Sequence, residues 1–393
     1  MLHEDMSNAI KRAASERKLL ESAAANIHAL LAGAPSDLYG RVVEELVAGG
    51  EWDELNDRFY QTLEFGTGGL RGRTIGKIVT KPERGETAHS AVATERPQFP
   101  CVGTNAMNFY NVSRGTQGLV QYIKEWNARE KIDPPSQSYG AAGRRPSIVI
   151  AHDPRFFSKE FTDLAARVAA ENGCDAYVFD GPRSTPELSF AVRHLNASAG
   201  IVITASHNPP HDNGYKVYFA DGAQVIEPHA SGIIEKVNAI ASENYEPLPQ
   251  DRQGAVQTLG HEIDEAYLQR LETIVLDRDV VRAAKSLRII FTPLHGTGSV
   301  TLPTVLQRLG FNFEIVKEQE RFDPRFSTVK SPNPENAEAL TLGIQLADKT
   351  GADLVIATDP DCDRLGVAVR GASGKIKLIT GNQIGSLLLW YRL

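Results

Sequence analysis

The stretch Ala352 to Gly366, ADLVIATDPDCDRLG, constrains this chain more than any other. Leu354 to Ala357 is an apolar run of strand length, and it delivers three carboxylates, Asp359, Asp361 and Asp363, together with Arg364, into the loop at its carboxyl end. In an open parallel sheet that end is where ligands bind. Three aspartates inside five residues repel one another, so a folded chain keeps them together only when a cation or a ring of donors compensates. Oxygen ligands favour a hard ion: Mg²⁺, or else Mn²⁺ or Ca²⁺. An EF-hand loop starting at Asp359 would need Gly at its sixth position and Glu at its twelfth, where this chain has Arg364 and Arg370. The competing reading is that the aspartates cap turns through their side chains.

A second loop has the same design. In IVITASHNPPHDNGYK, Ile201 to Lys216, an apolar strand again breaks into a polar turn, here holding Ser206, His207, Asn208, Pro209 and Pro210. A serine at a strand end, near a metal site and a lysine, is a candidate phosphoryl carrier, because a phosphate ester on it supplies charge and metal-binding oxygens. Taken alone, Ser-His-Asn-Pro is also good turn chemistry.

Together these motifs are specific. TASHNP, NGYK and DPDCDR closely resemble the paired signatures of the α-D-phosphohexomutases, the phosphoglucomutase and phosphomannomutase family. GTGGLRG at Gly66 to Gly72 resembles that family's first active-site loop, and PLHGTG at Pro293 to Gly298 its recurring second-domain segment. MNFYNVSRGTQGL, Met107 to Leu119, is similar to the longer phosphoglucomutase-2-like and phosphopentomutase subgroup, and the likeness covers roughly residues 65 to 393.

The resemblance implies a Mg²⁺-dependent transfer of phosphate from phospho-Ser206 to a sugar-phosphate hydroxyl, through a bisphosphate that reorients and returns its other phosphate. Ser206, Asp359, Asp361 and Asp363 would hold the metal, and Arg71 would contact the phosphorylated serine. Lys216 would act as acid or base, its pKa lowered by Arg71 and the metal; a plain electrostatic contact is the alternative. His207 would orient Ser206 or touch substrate, or else stabilise the turn. Arg364 suits substrate oxyanions through its fork geometry, or pairs with an adjacent aspartate. Thr380 would hydrogen-bond the sugar, although a capping threonine looks the same. His295 in PLHGTG is open between site and scaffold. The likeness implies a monomer acting on glucose phosphates, with mannose or pentose phosphates as alternatives. Family members continue into a third domain with a sugar-reading loop and a fourth with an RxSGTxP-like phosphate loop. Neither pattern occurs here, so the expectation is a chain truncated after its second domain, either a mutase or a catalytically incomplete sugar-phosphate-binding fragment. An aspartyl-phosphate phosphatase of the DxDxT type fits poorly, since Asp363 stands in place of the threonine.

The remaining sequence sets bounds. With 393 residues, 41% of them apolar, the chain can build two or three cores. A net charge of −7 without an extended basic run argues against a nucleic-acid surface. Cys101, Cys174 and Cys362 are too scattered for a disulfide framework or a zinc site, which suits a reducing cytoplasm. The polar N-terminus lacks a signal core and no apolar run reaches membrane-spanning length, so no membrane partner is expected.

Alanine, leucine and charged residues recur with helical period over about 5–62, as in Arg41 to Val47, and predict an N-terminal helical extension (1–62) with packing roles. Three glycines at 66–69 permit close approach of backbone to an anion. Residues 80–105 read as a loop or weak hairpin, 112–129 as a helix with Arg114 facing either a phosphate or solvent, and 133–146 as a turn-rich connection. From Ser147 strands (147–153, 175–179, 201–203, 215–219) and helices (159–172, 186–195, 228–242) alternate, followed by a linker over 244–260. A second unit repeats the rhythm with helices 263–276, 300–309 and 335–349 and strands 287–291, 313–316 and 354–357, then a hairpin over 367–379. The prediction is α/β, two consecutive three-layer α/β domains (63–245 and 260–373) with mixed, mainly parallel sheets. Residues 374–393 would begin a third domain with an apolar helix.

Overall fold

A computed structural model describes residues 4–66, 68–85, 96–130 and 145–393. Four helices come first: α1 (Glu4–Ser15), α2 (Glu21–Ala32), α3 (Leu38–Ala48) and α4 (Trp52–Phe59). Their apolar stripes meet, and Ile10, Ile27, Val42, Leu46, Leu55 and Phe59 form one buried cluster. A buried ion network ties this bundle to the chain that follows. Arg58, 2% exposed, donates from Nε to Glu54 at 2.8 Å and from Nη1 to Glu83 at 2.6 Å. Glu83 also accepts from Val102 N at 2.9 Å and closes a capping box with Thr80 at the start of α5 (Lys81–Arg84).

The first sheet contains β1 (Gly69–Arg73), β2 (Ser147–His152), β3 (Asp175–Phe179), β4 (Ala199–Ile203), β5 (Asp212–Phe219) and β6 (Val256–Leu259), in the order β1-β5-β4-β2-β3-β6. Strands β4, β2, β3 and β6 are parallel, and β5 is antiparallel to β4 and β1. Alternation along the strands makes the sandwich. Ile148, Ile150, Ile201 and Ile203 pack with Leu119 and Ile123 of α6 (Phe109–Glu130) and Phe161 of α7 (Ser158–Glu171). Their neighbours Val149, Ala151 and Val202 meet Leu188 and Val192 of α8 (Thr185–His194) on the other face. Ile233 and Val237 of α9 (His229–Ala239) join the first of these layers, and Ile263 of α10 (His261–Thr273) the second.

The second sheet comprises β7 (Arg288–Thr292), β8 (Asn312–Ile315), β9 (Leu354–Thr358), β10 (Leu365–Arg370) and β11 (Ile376–Ile379), ordered β11-β10-β9-β7-β8. It is more mixed: β9, β7 and β8 are parallel, while β10 and β11 form the expected hairpin, with β10 antiparallel to β9. Ile289 and Phe291 face Leu306 of α12 (Gly298–Arg308), and Ile290 and Val355 face Ala347 of α14 (Thr341–Thr350). Short helices α11 (Arg278–Ala283) and α13 (Lys317–Glu320) complete the unit, and α15 (Gly381–Arg392) leaves Leu387, Leu388, Leu389 and Trp390 exposed. The fold class is the predicted one. Among the described residues no helix is long and apolar enough to cross a membrane.

Several expectations are corrected. The linker over 244–260 contains β6, an edge strand too short and too exposed to show an apolar pattern, which extends the first sheet beside β3. The glycine-rich turn runs directly into β1, paired with β5. The helix expected from residue 335 starts at Thr341; the segment before it is a run of turns, in which Asn333 Oδ1 accepts from the amide of Glu335 (3.0 Å) and the carbonyls of Asn333 and Asn336 accept from the amides of Asn336 and Ala339. Arg114 faces neither phosphate nor solvent: it is buried, and its guanidinium donates to the carbonyls of Val237 (3.2 Å) and Ile240 (2.7 Å) at the carboxyl end of α9. The region 80–105 holds the helix α5, with 86–95 outside the described residues, as is 131–144 of the turn-rich connection.

Replacing Arg58 would strand two buried carboxylates. Arg58→Ala should lose about 3–5 kcal/mol in urea unfolding; a loss under about 1 kcal/mol would show that the network carries little of the joint between bundle and sheet.

Candidate active site

Both predicted loops leave the carboxyl ends of central strands. After β4 the chain turns at Ser206, which is 3% exposed and holds a left-handed φ of +53°. Such a conformation costs a serine about 1–2 kcal/mol, so neighbours must hold it. Thr204 Oγ1 accepts from Ser206 N at 2.8 Å and donates to Asp153 Oδ2 at 2.6 Å. The fully buried guanidinium of Arg155 donates to Asp153 and to the carbonyls of Ser206, Asn208 (2.6 Å), Pro209 (2.8 Å) and Asp212 (3.1 Å). One cation thus gathers the whole serine loop.

After β9 the chain makes a comparable turn, with Cys362 at φ +57°. Asp359 Oδ1 accepts from the amides of Asp363 (3.1 Å) and Arg364 (3.0 Å), and its Oδ2 accepts from Ser206 Oγ at 2.7 Å. Asp361 Oδ2 accepts from Lys216 Nζ at 2.7 Å and Thr185 Oγ1 at 2.9 Å, whereas Oδ1, buried, has no partner. Lys216 Nζ also reaches Asp363 Oδ2 at 3.0 Å. The PLHGTG segment buttresses this loop from below. Thr297 donates to Pro360 O from its amide (2.8 Å) and hydroxyl (3.0 Å), and a Cβ at Gly296 would lie 2.4 Å from Pro360 Cα.

The two units therefore meet in one site. Ser206 and His207 come from the loop after β4, Lys216 from β5 and Thr185 from the start of α8, all in the first unit, and the three aspartates come from the second. Because the hydroxyl proton of Ser206 goes to Asp359, the contact with His207 Nδ1 at 3.2 Å has the imidazole as donor. Burial, and then the charges of Arg364 and Arg71, lower the His207 pKa below the usual histidine value. Lys216 makes the electrostatic contact that was one of its two readings. Burial alone would lower its pKa, but Asp361 and Asp363 together outweigh burial and raise it, so the lysine is held as a cation. Asp359 is pushed well above the usual carboxylate range by burial and the charges of its two neighbours. In Asp361 burial pulls the same way, and the charge and hydrogen bond of Lys216 prevail to lower it.

Arg71 on β1 and Arg364 beside Asp363 are exposed and have no ion pair or side-chain hydrogen bond among the described residues, so the pairing of Arg364 with an aspartate is not formed. Thr380 is the N-cap of α15, in a capping box with Gln383. His295 is buried, with Nδ1 on Arg321 O (3.0 Å) and Nε2 on Thr328 Oγ1 (2.8 Å), a scaffold position. Sequence reading passed over Arg155, Thr185 and Ser331, whose hydroxyl donates to His207 O at 3.2 Å. The signal for Arg155 was Asp-Pro-Arg directly after β2, a strand end equivalent to the two already suspected.

The acidic triad suits a hard cation. One oxygen from each of Asp359, Asp361 and Asp363 lies within 4.8 Å of the others, and the partnerless Asp361 Oδ1 has the unmet valence such an ion would satisfy.

Residues 101–244 match the family model for phosphoglucomutase/phosphomannomutase, alpha/beta/alpha domain I, and residues 265–374 that for domain II. The chain belongs to this family. Among its curated relatives, the phosphoglucomutase of Staphylococcus aureus (strain USA300) is 36% identical over 344 residues, 86% of this chain and 54% of the relative. The chain therefore spans about half the length of the curated relatives it matches. A provisionally named phosphomannomutase of Thermus thermophilus superposes with a TM-score of 0.62 at 25% identity, covering 84% of this chain and 62% of that one. Paramecium pp63/parafusin, in its open form, gives 0.52 at 19% identity, covering 79% and 53%, and shows the shared fold.

Beside the site of this phosphoglucomutase/phosphomannomutase-family chain lies a pair of carboxyl groups, buried Glu187 and partly buried Asp264. Glu187 on α8 is fully buried, neither of its oxygens has a donor among the described residues, and it faces Asp264 of α10, itself clamped by Arg183 at 2.7 and 2.8 Å. Burial, then contact with Asp264, pushes the Glu187 carboxyl up to about 8. The folded state therefore holds a proton that the unfolded chain releases near 4.5, so this contribution is full in acid and lost as pH rises from about 4.5 to 8. Glu187→Gln should flatten the fall in unfolding free energy across that window by up to about 1.4 kcal/mol per pH unit; parallel pH profiles for the two proteins would contradict the assignment.

Proposed function

We propose that this chain carries the phosphoryl-transfer centre of a Mg²⁺-dependent phosphosugar mutase that interconverts glucose 1-phosphate and glucose 6-phosphate through phospho-Ser206. The observation that carries the reading is the hydroxyl of Ser206 at 2.7 Å from Asp359, the nearest member of an acidic triad contributed by the other sheet. Similarity to the S. aureus phosphoglucomutase favours glucose phosphates over mannose or pentose phosphates. The free thiols Cys101, Cys174 and Cys362 accord with a cytoplasmic setting.

In the transfer, the bond between Ser206 Oγ and phosphorus breaks as a bond from a sugar hydroxyl to phosphorus forms, and the proton lost by the sugar hydroxyl is matched by one gained at Ser206 Oγ. The reverse step on the reoriented bisphosphate restores the phosphoserine. Asp359, Asp361 and Asp363 would hold Mg²⁺, which supplies neutralisation of charge on the transferring oxygens. Arg155 and Thr204 keep Ser206 aimed across the domain boundary. His207, neutral and donating from Nδ1, fixes the serine oxygen. Lys216 enters as a cation: it counters the triad through Asp361 and Asp363, and as the charged form it can give a proton but not take one. Arg71 and Arg364, whose side chains have no partner among the described residues, would serve the phosphate and sugar oxygens, and Thr380 at the head of α15 would contact the sugar.

Intact mass spectrometry with a coupled glucose 1-phosphate assay tests this. The wild-type chain should carry one phosphoryl group on Ser206. Ser206→Ala should lose that group and at least about 10³-fold of any turnover the chain supports, the scale of removing a covalent nucleophile. An unmodified serine with an unchanged rate in the variant would end the proposal.

A further inference from the structure

We infer that Thr185 is a positioning residue for Asp361: it selects the carboxylate oxygen that faces the cation and so couples cation binding to the docking of the two α/β units. This rests on the functional reading above only in taking the acidic triad as a divalent-cation site.

Asp361 is fully buried, and its two oxygens are unequal. Oδ2 has two donors, Lys216 Nζ at 2.7 Å and Thr185 Oγ1 at 2.9 Å, while Oδ1 has none among the described residues. A carboxylate free to rotate about its χ2 bond would exchange these oxygens. Lys216 cannot prevent that alone, because its ammonium is a flexible point charge shared with Asp363 at 3.0 Å. Thr185 can. Its side chain belongs to a β-branched residue at the first position of α8, where rotamers are restricted, and its amide also donates to the carbonyl of Asp361 at 2.9 Å. One residue of the first unit thus grips both the main chain and the side chain of a cation ligand in the second, from 176 positions away. One oxygen of Asp361 lies within 4.8 Å of an oxygen of each of the other two carboxylates, and Oδ1 is the one that no donor occupies among the described residues.

Outer-shell donors of this kind typically change metal affinity by about 10–100-fold when removed. They also link affinity to whatever holds the donor in place, here the packing of α8. Thr185→Ser retains the hydroxyl; Thr185→Val and Thr185→Ala remove it with and without the β-branch.

The experiment is titration of each metal-free protein with Mn²⁺, by calorimetry and by the electron paramagnetic resonance signal of unbound Mn²⁺, with unfolding midpoints recorded with and without the ion. Wild type should bind one Mn²⁺, displaceable by Mg²⁺. Thr185→Val and Thr185→Ala should bind about 10–100-fold more weakly and show a smaller ion-induced rise in midpoint, and Thr185→Ser should stay within about threefold of wild type. A merely structural threonine would lower the metal-free midpoint and leave Mn²⁺ affinity alone, and that result overturns the inference while the cation site stands. Equal affinity in all four proteins overturns it likewise. Absence of Mn²⁺ binding in wild type overturns both the inference and the cation reading on which it rests. Should Thr185→Val fail to fold, Thr185→Ala gives the same comparison.

Discussion

Three carboxylates held within a few ångströms of one another, with a single lysine between two of them, set the terms for the rest of this structure. At such distances like charges in a partly buried site repel by several kcal/mol even at an effective dielectric near 20. The chain offsets that cost in pieces. Two backbone amides serve Asp359, Lys216 and Thr185 serve Asp361, and Lys216 serves Asp363 again. One buried oxygen is still left without a partner. The site is thus incomplete as a charge distribution, as the proposed cation site would require.

Four of the eight non-glycine residues with left-handed backbone among the described residues lie at the same places. Ser206 and Cys362, both with left-handed backbone, sit at the turning points of the two loops, and Leu294 and His295 do so in the segment that supports the second. Each is over-determined by its surroundings: Arg155 and Thr204 around the serine, Thr297 and the glycine contact at Pro360 beneath the aspartates. Arg155 reaches further still, with its guanidinium 4.9 Å from the ring centroid of Phe326 in the second unit. The serine loop is thus held by its own sheet and touched by the other, so alignment of hydroxyl and triad depends on how the units dock.

Much of this was legible in the residues. Alternating strands and helices gave both sandwiches, and the loops around Ser206 and Asp359 were recognisable because they place reactive side chains straight after apolar strands. Arg155, Thr185 and β6 were not. Arg155 acts through its neighbours' carbonyls, and carbonyls leave no trace in side-chain identity. Thr185 occupies the start of a helix, where a threonine explains itself locally. β6 is an edge strand of four residues whose exposure hides any pattern. Arg114 was misjudged for a related reason: an arginine in an amphipathic helix reads as surface unless the carboxyl end of another helix is known to lie against it. The ion pairs of Lys216 were not legible because its two aspartate partners come from the other sheet.

The central claim is that a hydroxyl from one sheet faces a divalent cation held by three aspartates of the other. A crystal of the chain grown with Mn²⁺ and measured for anomalous scattering addresses it directly. The account predicts a single strong peak at bonding distance from Asp359, Asp361 and Asp363 and from an oxygen on Ser206 or its phosphate. A peak bound elsewhere, or none at the triad under saturating Mn²⁺, would contradict it.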